Sequence, residues 1–146
     1  MRLSTRVRYG VRLMLSLAEN WGKGPMMLSD IARRQEISEK YLSLIVIPLR
    51  TKGLINSTRG AHGGYELSSP PEQITVEQIL EAIEGRPSLV DCIDNGTRCP
   101  RAGQCVTRDI WSALGDTITQ ALDSVSLDQL IEMKRNKSEK AVTYAI

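Results

Sequence analysis

Leu28-Ser29-Asp30-Ile31-Ala32-Arg33-Arg34-Gln35-Glu36-Ile37-Ser38-Glu39-Lys40-Tyr41-Leu42-Ser43-Leu44-Ile45 holds two helical patterns set end to end. The first spans about Leu28 to Arg34 and would bury Leu28, Ile31 and Ala32. The second opens at Glu39 behind Ser38, whose hydroxyl suits an N-cap, and carries Tyr41, Leu42, Ile45, Val46 and Leu49 on one side. Gly53 then supplies the left-handed residue that ends a helix. Two helices joined by so short a turn form a helix-turn-helix. Pro48 removes one backbone hydrogen bond inside the second helix and should bend it there.

Downstream, Leu54–Thr58 and Gly64–Ser68 read as short strands around the glycine-rich tip Arg59-Gly60-Ala61-His62-Gly63, a two-stranded wing. This arrangement fits a duplex: the second helix enters the major groove and the thin tip enters the minor groove. Ser38, Glu39, Lys40 and Ser43 then face base edges, with Leu44 against a thymine methyl group. Arg59 and Gly60 sit at the wing tip, and glycines 60, 63 and 64 let the backbone approach phosphates. Arg2, Arg6, Arg8, Arg50 and Lys52 are candidate phosphate partners, although a surface Arg or Lys is by default a solvated charge. His62 reads as a polar wing residue rather than a ligand.

Upstream, Thr5 to Asn20 forms a helix with a stripe of Val7, Val11, Met14, Leu15 and Ala18, and a second apolar side at Leu13 and Leu17. Thr75 to Glu84 forms another helix, with Val76, Ile79, Leu80 and Ile83 inward. From Gly85 to Gln104 helical periodicity lapses, and Cys92, Cys99 and Cys105 fall in or beside this loop. A polar loop is a poor apolar core, and a disulfide would leave one thiol over. Three thiolates converging on an iron–sulfur cluster fit the spacing better than zinc, whose cysteine pairs are usually tighter. Arg98, Arg101 and Arg108 would lower the thiol pKa values. A long helix from about Gln104 to Val125 carries Val106, Ile110, Leu114, Ile118, Ala121, Leu122 and Val125, with Trp111 on its flank. So long a stripe is best buried against the same helix of a second copy, which predicts a homodimer; the competing reading closes it over the winged module. Leu127–Ile131 is a further short helix, and residues 134–146 read as a basic, loosely held tail.

The expected architecture is mainly α: a winged helix-turn-helix domain over residues 1–84, a cysteine loop over 85–104, a dimerisation helix and short helix over 105–133, and the tail. Residues 1–72 hold 11 Lys and Arg against 6 Asp and Glu, while the remainder holds 8 against 11. A basic front and an acidic back suit a chain that meets a polyanion with one end. No apolar run approaches the ~18 residues of a membrane span, so the expectation is a cytoplasmic protein without membrane association. One His and three Cys leave no nucleophile–base pair, which argues against an enzyme.

The opening Met-Arg-Leu-Ser-Thr, Arg8-Tyr9-Gly10-Val11, Ile31 to Ser38 with Tyr41-Leu42, Pro48 to Ile55, Arg59 to Tyr65, Ile74-Thr75-Val76 and the three cysteines together resemble the Rrf-type winged-helix transcriptional regulators, which include the iron–sulfur cluster regulator IscR. The resemblance covers nearly the whole chain. It implies a homodimer on a palindromic promoter site in double-stranded DNA. It also implies a regulator, with repression expected, that senses iron–sulfur status, oxidants or nitric oxide through a cluster on Cys92, Cys99 and Cys105. The [2Fe–2S] form is favoured over [4Fe–4S]. Cluster-binding relatives add a histidine three residues after the last cysteine, or an acidic residue near the partner's N-terminus. Here those positions are Arg108 and Arg8, so the fourth ligand is unassigned; Asp109 and Asp91 are nearest in sequence. The alternatives are a cluster-free regulator of sulfur or cysteine metabolism, acting with a small-molecule or protein partner, and a module that sequesters an enzyme of that metabolism.

Overall fold

The structure, a computed structural model, describes residues 2–94 and 99–145. Helix α1 (Thr5–Glu19) starts at Ser4, whose hydroxyl accepts from the Val7 amide at 3.1 Å. Its buried face is Val7, Leu13, Met14, Leu17 and Ala18, whereas Val11 and Leu15 are half-buried, so both expected stripes merge into one core face. Helices α2 (Leu28–Gln35) and α3 (Glu39–Thr51) meet at a tight turn. Glu36 adopts the left-handed conformation there at φ 54°, and the buried Ile37 donates its amide to Ala32. Leu42, Ile45, Val46 and Leu49 turn α3 inward. The helix runs through Pro48 and closes in a Schellman motif: Leu54 donates to Leu49 and Gly53 (φ 75°) to Arg50.

Strands β1 (Ile55–Thr58) and β2 (Gly64–Leu67) pair antiparallel, Ile55 opposite Leu67 and Thr58 opposite Gly64. Met26 adds a bridge to Tyr65 through two 2.8 Å backbone bonds, fastening the wing to the loop before α2. Helix α4 (Val76–Glu84) opens with a capping box between Thr75 and Gln78 and packs on α1 and α3. Gly10 permits the α1–α4 approach, since a β-carbon there would lie 2.2 Å from the Ile83 Cδ1.

Beyond α4 the outcome departs from expectation in three places. The segment from Gly85 to Gln104 holds a short helix, α5 (Asp91–Asp94), and a 3-10 turn at Ala102–Gln104. Helix α6 is Val106–Asp123, shorter at both ends than its apolar pattern suggested. The chain from Leu127 to Ala145 is one helix, α7, so the expected break into a short helix and a loose tail is corrected. Lys, Arg, Glu and Ala favour helix without needing an apolar stripe, and Lys134 ties α7 to Glu19 of α1 at 2.6 Å. The α6–α7 elbow is fixed to the start of α4: Val76 donates to Val125 and Leu127 to Ile74, each at 2.9 Å, with Leu127 fully buried. At its other end α6 leaves Val106, Ile110 and Leu114 exposed at 73%, 58% and 45%. It therefore closes over the winged module only near Leu122, which packs on the core. Among the described residues no helix is long and apolar enough to cross a membrane.

Candidate nucleic-acid interface and thiol segment

The N-terminal turn of α3 faces solvent: Ser38, Glu39, Lys40 and Ser43 are all exposed. Their hydroxyls are partly committed. Ser38 accepts from the Tyr41 amide at 3.0 Å as the cap, and Ser43 donates to the Lys40 carbonyl at 2.6 Å. Each keeps capacity for outside partners: Ser38 its O–H and one lone pair, Ser43 both lone pairs. Leu44 and Ile47 extend the face and are about half exposed, 54% and 50%. Ile47 was not singled out in the sequence, although it lies seven residues after Lys40 on the same side of the helix. Arg6 lines a shallow groove with Tyr41, Leu44 and Ile47, so α1 brings one arginine to this face.

The other basic candidates are spread out. Arg2 and Arg8 are exposed near the start of α1, and Arg8 donates to Thr5 at 3.0 Å. Arg50 and Lys52 are exposed at the far end of α3, about 16 Å along the axis from Glu39 by helical rise. Arg12 is exposed but already engaged within the protein, bonding Gln35 and lying 5.5 Å from the centroid of the Tyr9 ring.

Arg59 is exposed on the wing, beside Gly60 at φ 112°. The other two wing glycines serve the fold. A β-carbon on Gly63 would lie 2.2 Å from the Thr58 carbonyl oxygen, and one on Gly64 2.2 Å from that of Met26. Both are needed for backbone to approach backbone within the protein. A second groove, between α2 and the wing, is lined by Lys23, Arg34 and His62; Asp30 at its edge is already paired with Arg33 at 2.7 Å.

The three cysteines are free and half-buried: Cys92 in α5, Cys99 before the 3-10 turn, and Cys105 at the N-cap of α6. The Cys105 sulfur lies 3.2 Å from the Thr107 hydroxyl. That hydrogen bond holds the Cys105 thiol below its ordinary pKa, helped by the backbone amides of Arg108 and Thr107 and opposed by desolvation and by Asp109. The cause at Cys105 is thus a hydroxyl and a helix N-terminus rather than the side chains of Arg101 and Arg108. The Arg108 guanidinium instead donates to the Cys92 carbonyl at 3.3 Å, tying the first turn of α6 to α5. Arg98 lies outside the described residues. Three soft sulfur donors within one segment suit an iron–sulfur centre chemically. Among the described residues, however, no three His, Cys, Asp or Glu side chains are gathered to hold a metal ion.

With this geometry in view, comparison with known proteins is decisive on family. Residues 3–133 match the Rrf2 family, described as an iron-dependent transcriptional regulator. The chain is 40% identical over 131 residues to protein rrf2 of Nitratidesulfovibrio vulgaris, covering 90% of this chain and 87% of that protein. It is 36% identical over 144 residues to the HTH-type transcriptional regulator CymR of Bacillus subtilis, covering 99% of both. The solved structure of that protein, described as the global cysteine regulator, superposes with a TM-score of 0.74 over 91% of this chain and 98% of the other. The structure of T. potens IscR gives a TM-score of 0.74 at 34% identity, over 92% of this chain and 88% of the other. A helix-turn-helix and wing with their polar faces outward, together with this match along the chain, make it a DNA-binding, non-enzymatic member of the Rrf2 family of transcriptional regulators.

Proposed function

We propose that two copies of the chain bind a palindromic promoter site through α3 and the wing, and that an iron–sulfur cluster on Cys92, Cys99 and Cys105 sets their grip. The observation that carries the DNA half is the outward face of Ser38, Glu39, Lys40 and Ser43 beside the exposed Arg59. Residues 1–84 supply the duplex-binding unit, with Arg2, Arg8, Arg50, Lys52 and Gly60 flanking it as phosphate contacts, and α6 supplies the dimer surface. The cluster reading is supported by the iron-dependent description of the family and by three free thiols on one segment. When bound, such a centre supplies redox and ligand-exchange chemistry at iron.

The chain's own part in the coupling is mechanical. Helix α6 is pinned at its C-terminal elbow by the Val76–Val125 and Leu127–Ile74 bonds, and at its first turn it is tied to the thiol segment through Arg108 and the Cys92 carbonyl. Drawing the three sulfurs together therefore shifts the Val106 end of α6 while the elbow stays with α4. Two recognition helices joined through α6 would change spacing with it, and a coupling of ~1–3 kcal/mol alters occupancy ~5- to 150-fold.

A second reading, a cluster-free regulator of sulfur or cysteine metabolism acting with a small-molecule or protein partner, is favoured by the ungathered sulfurs and by the similarity to CymR. Anaerobic reconstitution separates the two. The cluster reading expects visible absorption, iron and sulfide in a ratio that distinguishes [2Fe–2S] from [4Fe–4S], and a changed promoter affinity that alanine at all three cysteines abolishes. A colourless protein whose regulation survives that triple replacement supports the cluster-free reading. For the DNA surface, Arg59→Ala should weaken promoter binding by roughly tenfold or more and reduce the slope of log affinity against log salt by about 1. An unchanged slope would remove Arg59 from the interface.

A further inference from the structure

We propose that the groove between α4, the 86–93 segment and α6 binds a free α-amino acid with an apolar side chain. The groove measures about 310 Å³, at the small end of ligand sites. Its walls present two carboxylates, Glu77 and Asp116, one guanidinium, Arg86, and an apolar surface of Leu89, Ile93 and Trp111. A free α-amino acid is a compact molecule that offers an ammonium, a carboxylate and an apolar group from a single carbon. The ammonium donates to Glu77 and Asp116, the carboxylate accepts from the Arg86 fork, and the side chain lies on the indole.

The site is short of a cation and has an available guanidinium. Burial, and then the neighbouring Glu81 and Asp123, hold the Glu77 carboxyl above the usual range, with Arg86 offsetting part of the rise. Arg86 makes a 3.7 Å pair with Glu81, and its side chain is 84% exposed, so that pair is readily exchanged. A simple organic cation would leave Arg86 unused, and a simple anion would confront two carboxylates.

The position suits an effector. Trp111, Gly115 and Asp116 lie on one side of α6, while the exposed Val106, Ile110 and Leu114 lie on the other by helical spacing. An occupant would therefore sit between α6 and the winged module and leave the apolar stripe free.

The test uses the full chain carrying Trp21→Phe, so that Trp111 is the only indole. L-Leucine, L-leucinamide and N-acetyl-L-leucine are titrated against Trp111 emission. The expected result is a saturable change with L-leucine and binding roughly tenfold weaker or worse for each blocked form. Arg86→Gln should erase the preference over leucinamide, and Asp116→Asn, which leaves Glu77 in place, should shrink that over N-acetyl-leucine. No saturable response into the roughly millimolar range, or equal binding of all three probes, would overturn the proposal. Promoter binding by the same two variants without ligand is read in parallel, so failure of the amino-acid site is distinguishable from failure of the DNA reading.

Discussion

Single residues separate fold from function most cleanly in the wing. Arg59, Gly60, Gly63, Gly64 and Tyr65 form one short motif, yet the reasons for each residue differ. Gly60 sits at the open tip with φ 112° and nothing within 4 Å of a would-be β-carbon. A β-carbon on Gly64, at φ 153°, would lie 2.2 Å from the Met26 carbonyl oxygen, so this glycine has no room for a side chain. Gly64→Ala should therefore cost about 2 kcal/mol or more, against about 1 kcal/mol for Gly60→Ala, where only the backbone angle is strained. Denaturant midpoints of the two variants check the order. Equal midpoints would mean that the Met26–Tyr65 bridge moves aside without cost. From sequence the motif marks a hairpin, but the partner that makes Gly64 necessary comes from a loop some forty residues upstream. Glu36 was hidden for a related reason: its left-handed backbone is one that glycine or asparagine usually signals.

At the scale of elements, the helices with an apolar stripe and a cap were legible. Ser38 and Thr75 mark the starts of α3 and α4, and Gly53 marks the end of α3. The distal half of α7 was not, because Lys134 to Lys140 carries charge instead of apolar periodicity, and charged residues in water permit helix without announcing it. The cysteines were legible as donors but not as an arrangement, since spacing along a chain does not fix distances across a loop. Packing of α4 on α6, which brings in Asp123, also adds to an electrostatic cost that α4 already carries between Glu77 and Glu81. Burial and the neighbouring Glu81 and Asp123 raise the Glu77 carboxyl above its ordinary value near 4.5, with Arg86 offsetting only part. A raised pKa means that the native state holds the proton more tightly than the unfolded chain does. Stability therefore falls as pH rises through the interval between the unfolded and folded values, and stays lower above it. Glu77→Gln should raise Tm at pH 7, and the difference from wild type should vanish below about pH 4, where both side chains are neutral. Thermal melts at the two pH values check this, and identical Tm values at pH 7 would show that Asp123 and Glu81 are screened from Glu77.

For the whole molecule, the question is what covers α6. Its apolar residues divide by position: Leu122 packs on the core, whereas Val106, Ile110 and Leu114 are exposed at 73%, 58% and 45% and do not join that core among the described residues. Each such side chain gains ~1.5–3 kcal/mol when fully buried, and a two-fold pairing of α6 would bury the set twice over. Such pairing would also hold two recognition helices in one body, so that binding of the second half-site becomes intramolecular and gains from effective concentration. Because Ile110 is already exposed in the single chain, Ile110→Asp should leave Tm measured on dilute protein nearly unchanged. The same change should convert a species of twice the 16.2 kDa chain mass into monomer in sedimentation. It should also weaken binding to a two-half-site duplex by ~10²-fold or more while leaving half-site binding alone. A wild-type chain that sediments as a monomer at micromolar concentration would refute the pairing. So would an Ile110→Asp dimer with undiminished promoter affinity, since the stripe would then be covered by something other than a second α6.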